Sequence, residues 1–334
     1  MPDRRGAAKG RAGGRRALTP SRPAARRGRI AADGRTSRVR GPALLVAGMV
    51  LFGLLDANSK LLSGQYGLGQ VVFLRYAVLA IALLVARMLR PGAGGGLGTR
   101  HPGLHALRAA AMMVSAGGFF LAFRRLSLAE GYLVFFTAPF WVLALAALAL
   151  REPVPRAAWG WSALAFAGVG LAVAPRLVAD AASLSAAGYA FALAATLAYA
   201  VTQTVNRRLR GEAGAARVLL WPTLLGLALY GPLAALDWTT PPPRDAALLA
   251  LNGLFAGAAV VCVAAAFRHA DAARLAPFNF VGLPVALLLD LALWGTWPEA
   301  TTLLGGAVVV FACLRNERAM RRRDAPHAGA GPRR

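Results

Sequence analysis

Residues 122–139 read AFRRLSLAEGYLVFFTAP, and residues 266–284 read AFRHADAARLAPFNFVGLP. Each segment opens on Ala-Phe-Arg and runs into an apolar helix that carries a proline, Pro139 in the first and Pro284 in the second. The offset is 144 residues at Phe123/Phe267 and 145 at Pro139/Pro284, so the two registers differ by one residue. Around them the chain breaks into ten apolar runs, at roughly 43–62, 71–89, 104–123, 131–150, 157–174, 186–206, 216–236, 247–267, 273–293 and 300–315. About twenty mainly apolar residues span a bilayer, and in lipid every backbone polar group must be satisfied within its own segment. The runs therefore predict an all-α integral membrane protein of ten transmembrane helices. The internal repeat divides them into two five-helix halves, 43–174 and 186–315. An odd number of crossings turns the second half over, giving two inverted five-helix repeats, the architecture around which secondary transporters build alternating access.

Composition agrees with this division. The 334 residues are 57% hydrophobic and carry a formal charge of +24, with a mean hydropathy of +0.52. Residues 1–42 hold 13 Lys+Arg against 2 acids, and residues 315–334 hold 7 against 2. Two basic tails thus flank a long apolar body, which excludes a soluble nucleic-acid-binding domain. Residues 1–42, rich in Arg, Ala, Gly and Pro, lack the apolar side chains needed for a core. They are expected to be a disordered basic cytoplasmic tail, with an over-extended start or a transit peptide as alternatives, and 316–334 form a second basic tail. Cys262 and Cys313 lie inside apolar runs, so no disulfide framework is expected.

Arginine placement sets the orientation. With the N-terminus inside, the cytoplasmic connections hold twelve arginines, whereas the opposite side holds only Arg124, Arg125, Arg176 and Arg244. The positive-inside bias then predicts both termini in the cytoplasm, and the scarcity of Lys (Lys9 and Lys60) beside abundant Arg, Ala and Gly suggests a GC-rich bacterial genome, for which an inner-membrane location is expected. Arg124 and Arg125 run against that bias.

The ordered series of features resembles the drug/metabolite transporter superfamily, specifically EamA-type permeases. The residues that carry the likeness are the two halves, Phe73-Leu74-Arg75, the Pro139 helix and the loop Arg151-Glu152-Pro153. The segments Gly53–Lys60 and Gln70–Arg75 are similar to the opening of one bacterial branch. A Gly-Glu usually precedes the last helix in that family, and Thr296 stands in its place here. The resemblance implies a permease for amino acids, nucleosides, vitamins or related compounds.

Ionisable groups at membrane depth cost about 2.5–3.5 kcal/mol each on insertion scales, so they face a cavity or a partner. Asp56 and Lys60 are four residues apart on one helix face, and Arg75 lies early in the next helix. In one reading Arg75 and Lys60 hold an anionic or zwitterionic substrate, with Asp56 as counter-ion or proton carrier. In the other, Asp56 and Lys60 pair with each other while Lys60 and Arg75 snorkel to the interface. Asp290, in the ninth run, is a second candidate for proton coupling. Pro139 and Pro284 predict matched interior kinks along the pathway. Tyr132, Trp141, Tyr199, Gln203, Asn206 and Asn279 are candidate cavity-lining residues. Gly253-x-x-x-Gly257 permits close helix packing and is a weak pointer to a homodimer.

No catalytic signature is present. Residues 92–98, rich in glycine, complete neither a dinucleotide fingerprint nor a P-loop, and His101 and His105 lack the glutamate of a zinc helix. No cofactor and no metal are expected. The sequence therefore reads as a secondary transporter of a small metabolite, partnered by the lipid bilayer and not by nucleic acid. The alternatives are an intramembrane enzyme and a non-transporting scaffold or sensor.

Overall fold

The computed structural model describes residues 24–90, 95–96, 98–149, 151, 154, 156–179, 184–209, 215–269 and 275–324, with side chains described from Arg40 onward except at 176–179, 184–185, 207, 215–218, 267–268, 276–277, 317 and 319–324. Residues 1–23, most of the glycine-rich 92–98, Glu152, Pro153, Arg210, Arg274 and 325–334 lie outside them. Among the described residues the fold is wholly helical. In chain order come α1 (Ala24–Leu62), α2 (Leu68–Leu89), α3 (Pro102–Phe123), α4 (Leu128–Phe135), α5 (Ala138–Ala149), α6 (Arg156–Ala179) and α7 (Leu184–Arg208). Then follow α8 (Ala215–Leu236), α9 (Pro243–His269), a 3-10 segment (Ala276–Val281), α10 (Gly282–Trp294) and α11 (Ala300–Asp324).

Among the described residues seven spans are long and apolar enough to cross a membrane, with α4 and α5 together counting as one. Phe278–Trp294 and Ala300–Asn316 are shorter apolar helices. The helix α7 has the length but carries Thr196, Thr202, Gln203, Thr204 and Asn206, which dilute its apolar character. The molecule is a multi-pass membrane protein.

The principal packing partners are distant in sequence: α1 lies on α9, α3 on α7, α2 on α8 and α6 on α11. Glycine permits the last approach, since a side chain on Gly305 would strike the backbone of Gly168. Gly253 and Gly257 pack against Arg75, Val78 and Leu79 of α2. The GxxxG motif is thus occupied inside the chain, which removes the pointer to a homodimer.

The two prolines do not kink helix interiors. Pro139 is the second residue of α5 and Pro284 the third of α10, each exposed and each just past an interruption. The ring suits a first helical turn, where the missing N–H costs no hydrogen bond. The interruption comes first: Phe136 and Thr137 separate α4 from α5, and the 3-10 segment precedes α10.

Candidate functional site

The helix α1 is the hub, because four of its polar residues reach four different places. Asp56 Oδ2 accepts from the Tyr132 hydroxyl of α4 (2.9 Å). Asn58 Nδ2 donates to the Leu248 carbonyl of α9 (2.7 Å). Ser59 meets Arg75 of α2 and Asn252 of α9. Lys60 Nζ lies 3.5 Å from Asp290 Oδ1 of α10 and 4.5 Å from the centroid of Trp294. A helix presents successive residues about 100° apart, so a short polar stretch within an apolar bundle necessarily fans out among its neighbours.

Arg75 does not snorkel. It is 8% exposed, its Nε donates to Asn252 Oδ1 (2.7 Å) and its Nη2 donates to Ser59 Oγ (2.9 Å). Asn252 Nδ2 also donates to Ser59 Oγ (2.9 Å), and that hydroxyl donates to the Leu55 carbonyl (2.7 Å). The hydroxyl thus uses both lone pairs and its proton, whereas Arg75 commits Nε and Nη2 of its guanidinium. Asp56 lies within coulombic range of Arg75. Among the described residues Asp56 Oδ1 makes no hydrogen bond.

The Asp56–Lys60 pair of the second reading does not form. Spacing puts both on one face, but Asp56 is drawn to Tyr132, while the longer Lys60 chain reaches Asp290 and the Trp294 ring. Asp290 is not an isolated acid either. It is 3% exposed, and its two oxygens accept from the Leu128 amide (3.1 Å) and the Ala129 amide (2.9 Å) at the start of α4. Helix N-termini carry unsatisfied N–H groups and partial positive charge, so a carboxylate is stable there. Ser127 caps the same helix in a capping box with Glu130, and Glu130 also accepts from the Tyr189 hydroxyl.

An aromatic wall adjoins Asp56. The Tyr132 ring lies 6.4 Å from Phe123, 6.3 Å from Phe135 and 6.3 Å from Phe136, and Phe136 is 5.3 Å from Phe280. Tyr199 of α7 meets Phe135 edge-on at 5.0 Å. One turn on, Gln203 Nε2 donates to the Tyr199 hydroxyl (3.0 Å), and Asn206 Nδ2 donates to Gln203 Oε1 (2.9 Å).

The structure thus joins Asp56 to Tyr132, Lys60 to Asp290, and Tyr199 to the same wall through Phe135. Pro139 and Pro284 are exposed, and Asn279 is half-buried in the 3-10 segment; among the described residues none of the three hydrogen-bonds to this cluster. Trp141 packs on Phe166 instead. Sequence reading passed over Ser59, Glu130, Tyr189 and Asn252. Each is a polar group inside or beside an apolar run, the signal that had singled out Asp56.

Residues 186–315 match the model of the EamA-like transporter family. The chain is 22% identical to an S-adenosylmethionine uptake transporter of Rickettsia bellii over 78% of its length and 87% of the relative's. It is 24% identical to a pseudopaline exporter of Pseudomonas aeruginosa, covering 82% of this chain and 94% of the relative. A riboflavin transporter of Rhizobium johnstonii is 26% identical, over 68% of this chain and 74% of the relative. A solved crystal structure aligns over 85% of this chain and 98% of its own with a TM-score of 0.58 and 18% identity, a likeness of fold.

Proposed function

We propose that the chain, whose residues 186–315 match the EamA-like transporter model, is a member of that family and a secondary transporter moving a small anionic or zwitterionic metabolite by alternating access. Its place is the bacterial inner membrane, with both basic tails in the cytoplasm. The observation that carries this reading is a pair of opposite charges within an apolar bundle: Arg75, buried and held by Ser59 and Asn252, and Asp56, which leaves one oxygen uncommitted. Unpaired capacity at membrane depth is costly, and a substrate with an anionic and a cationic group would use it. Tyr132, Phe135 and Tyr199 offer a flat or apolar part of that substrate a wall on which to pack.

The ten-helix, two-repeat arrangement is part of the same reading. It is supported by the packing: α1 on α9 and α3 on α7 are equivalent contacts if residues 43–174 and 186–315 are related by an inverted repeat. The interruptions before Pro139 and Pro284 also fall at equivalent places. Such interruptions mark transporter sites because they release backbone groups toward a cavity. Substrates named for the relatives, S-adenosylmethionine, riboflavin and pseudopaline, support an organic metabolite with ring or charged groups. Protons are the proposed coupling ion, carried by Asp56 or Asp290.

Reconstitution into liposomes and assay of uptake and efflux against a metabolite library tests the function. Saturable flux that Asp56→Asn and Arg75→Gln abolish is the expected result. Folded protein with no saturable flux for any compound would overturn it.

A further inference from the structure

The two arginines that run against the positive-inside bias sit side by side at one mouth of the bundle. Arg124 and Arg125 follow α3, and both line a cavity of about 230 Å³ with Lys60, Glu130, Asp290 and Trp297 among its other walls. Three acids line it: Asp290 is engaged by Lys60 and two α4 amides, Glu130 by Ser127 and Tyr189, and Glu299 stands on the wall beside Trp297 and has its own interaction within the protein. The arginines are different. Among the described residues neither makes a side-chain hydrogen bond or an ion pair, and the Nε of Arg125 is buried without a partner. Its guanidinium lies 5.4 Å over the Phe191 ring, and its β-carbon fits against Gly188, so the group is held in place while its Nε keeps a donor to offer.

We propose that Arg124 and Arg125 form an anion-accepting vestibule that takes the carboxylate or phosphate of the transported compound before it passes to the Asp56/Arg75 site. Guanidinium groups suit such ligands because they offer several N–H donors in a fixed plane. Lys60 forms part of the inner wall, where an arriving anion competes with Asp290 for the ammonium and loosens the contact between α1 and α10. The identity of the anion as transported compound rests on the transporter reading above; the binding site itself does not.

Phosphate chemistry at this depth has two sources, a free solute and a lipid headgroup, and the test separates them. The full chain in phosphatidylcholine nanodiscs is titrated with sodium phosphate at ionic strength held constant by sodium chloride, reading tryptophan fluorescence. Trp297→Phe identifies the signal from the vestibule. A saturable response is expected in wild type and in Arg90→Gln, with affinity at least about tenfold weaker in Arg124→Gln/Arg125→Gln. Equal affinity in that double variant, shown folded by its unfolding midpoint, overturns the vestibule, as does the absence of any response beyond chloride in wild type. The same titration with phosphatidylglycerol in the disc is expected to retain the phosphate response; its loss would make a lipid headgroup the occupant and overturn capture of a solute. Because the titration reads binding without flux, its failure leaves the transporter reading standing, and absent flux with intact binding overturns only that reading.

Discussion

Lys60 Nζ and Asp290 Oδ1 lie 3.5 Å apart and tie α1 to α10, while the same carboxylate accepts two amides of α4. Three helices thus meet at one acid. Removing one partner of a largely buried pair strands the other charge, at a cost of about 3–5 kcal/mol when burial is complete. Lys60 is 17% exposed, so Asp290→Asn is expected to cost about 2 kcal/mol, less than the fully buried case. In a double-mutant cycle with Lys60→Met, monitored by thermal unfolding, the coupling should exceed about 0.5 kcal/mol. Additive effects would mean that the pair contributes nothing.

Arg75 uses Nε and Nη2 on two different acceptors, Asn252 Oδ1 and Ser59 Oγ. Lysine offers a point charge without that fork. Arg75→Lys is therefore expected to keep the charge yet lose at least about tenfold in transport, with a stability loss of about 1–3 kcal/mol from acceptors left bare. Proteoliposome flux beside an unfolding midpoint reads both, and wild-type flux in Arg75→Lys would show that charge alone suffices.

The Tyr132 hydroxyl orients Asp56 by donating to Oδ2. Tyr132→Phe keeps the ring in the aromatic wall and removes only that donor, an expected cost of about 1 kcal/mol. Half-saturation for the substrate should rise several-fold while maximal flux changes little, because the carboxylate loses its orientation but not its charge. A fall in maximal flux with unchanged half-saturation would contradict this role.

Gly305 and Gly170 provide a matched comparison. A side chain on Gly305 meets the backbone of Gly168 and Ala172, whereas one on Gly170 meets nothing within 4 Å. Gly305→Ala is expected to separate α6 from α11 and lower stability by about 1–3 kcal/mol. Gly170→Ala should be neutral or stabilising by up to about 1 kcal/mol through helix propensity. Thermal unfolding of the two variants side by side checks the contrast.

The ends of the helices were legible because they depend on local chemistry. The apolar runs ending at residues 62, 89, 123 and 236 end where α1, α2, α3 and α8 end. Gly295, at the end of α10, takes φ +63°, a left-handed conformation that suits glycine. The charged candidates were legible too, since any ionisable residue in an apolar run is conspicuous. Their partners were not. The spacing of Asp56 and Lys60 suggested a local pair, yet both found partners from other helices, Tyr132 and Asp290.

By itself the sequence determined that this chain is helical, apolar over most of its length and built for lipid, because a backbone in hydrocarbon must satisfy its own hydrogen bonds and side chains must be apolar to enter it. Tertiary structure alone decided which polar groups meet. Tyr132 reaches Asp56 across 76 positions, and Asn252 reaches Arg75 across 177. No spacing rule within one helix extends to such pairs. They are chosen when helices pack and each buried polar atom must find a partner within reach, and that choice left Asp56 Oδ1 and Arg125 Nε without a hydrogen bond among the described residues.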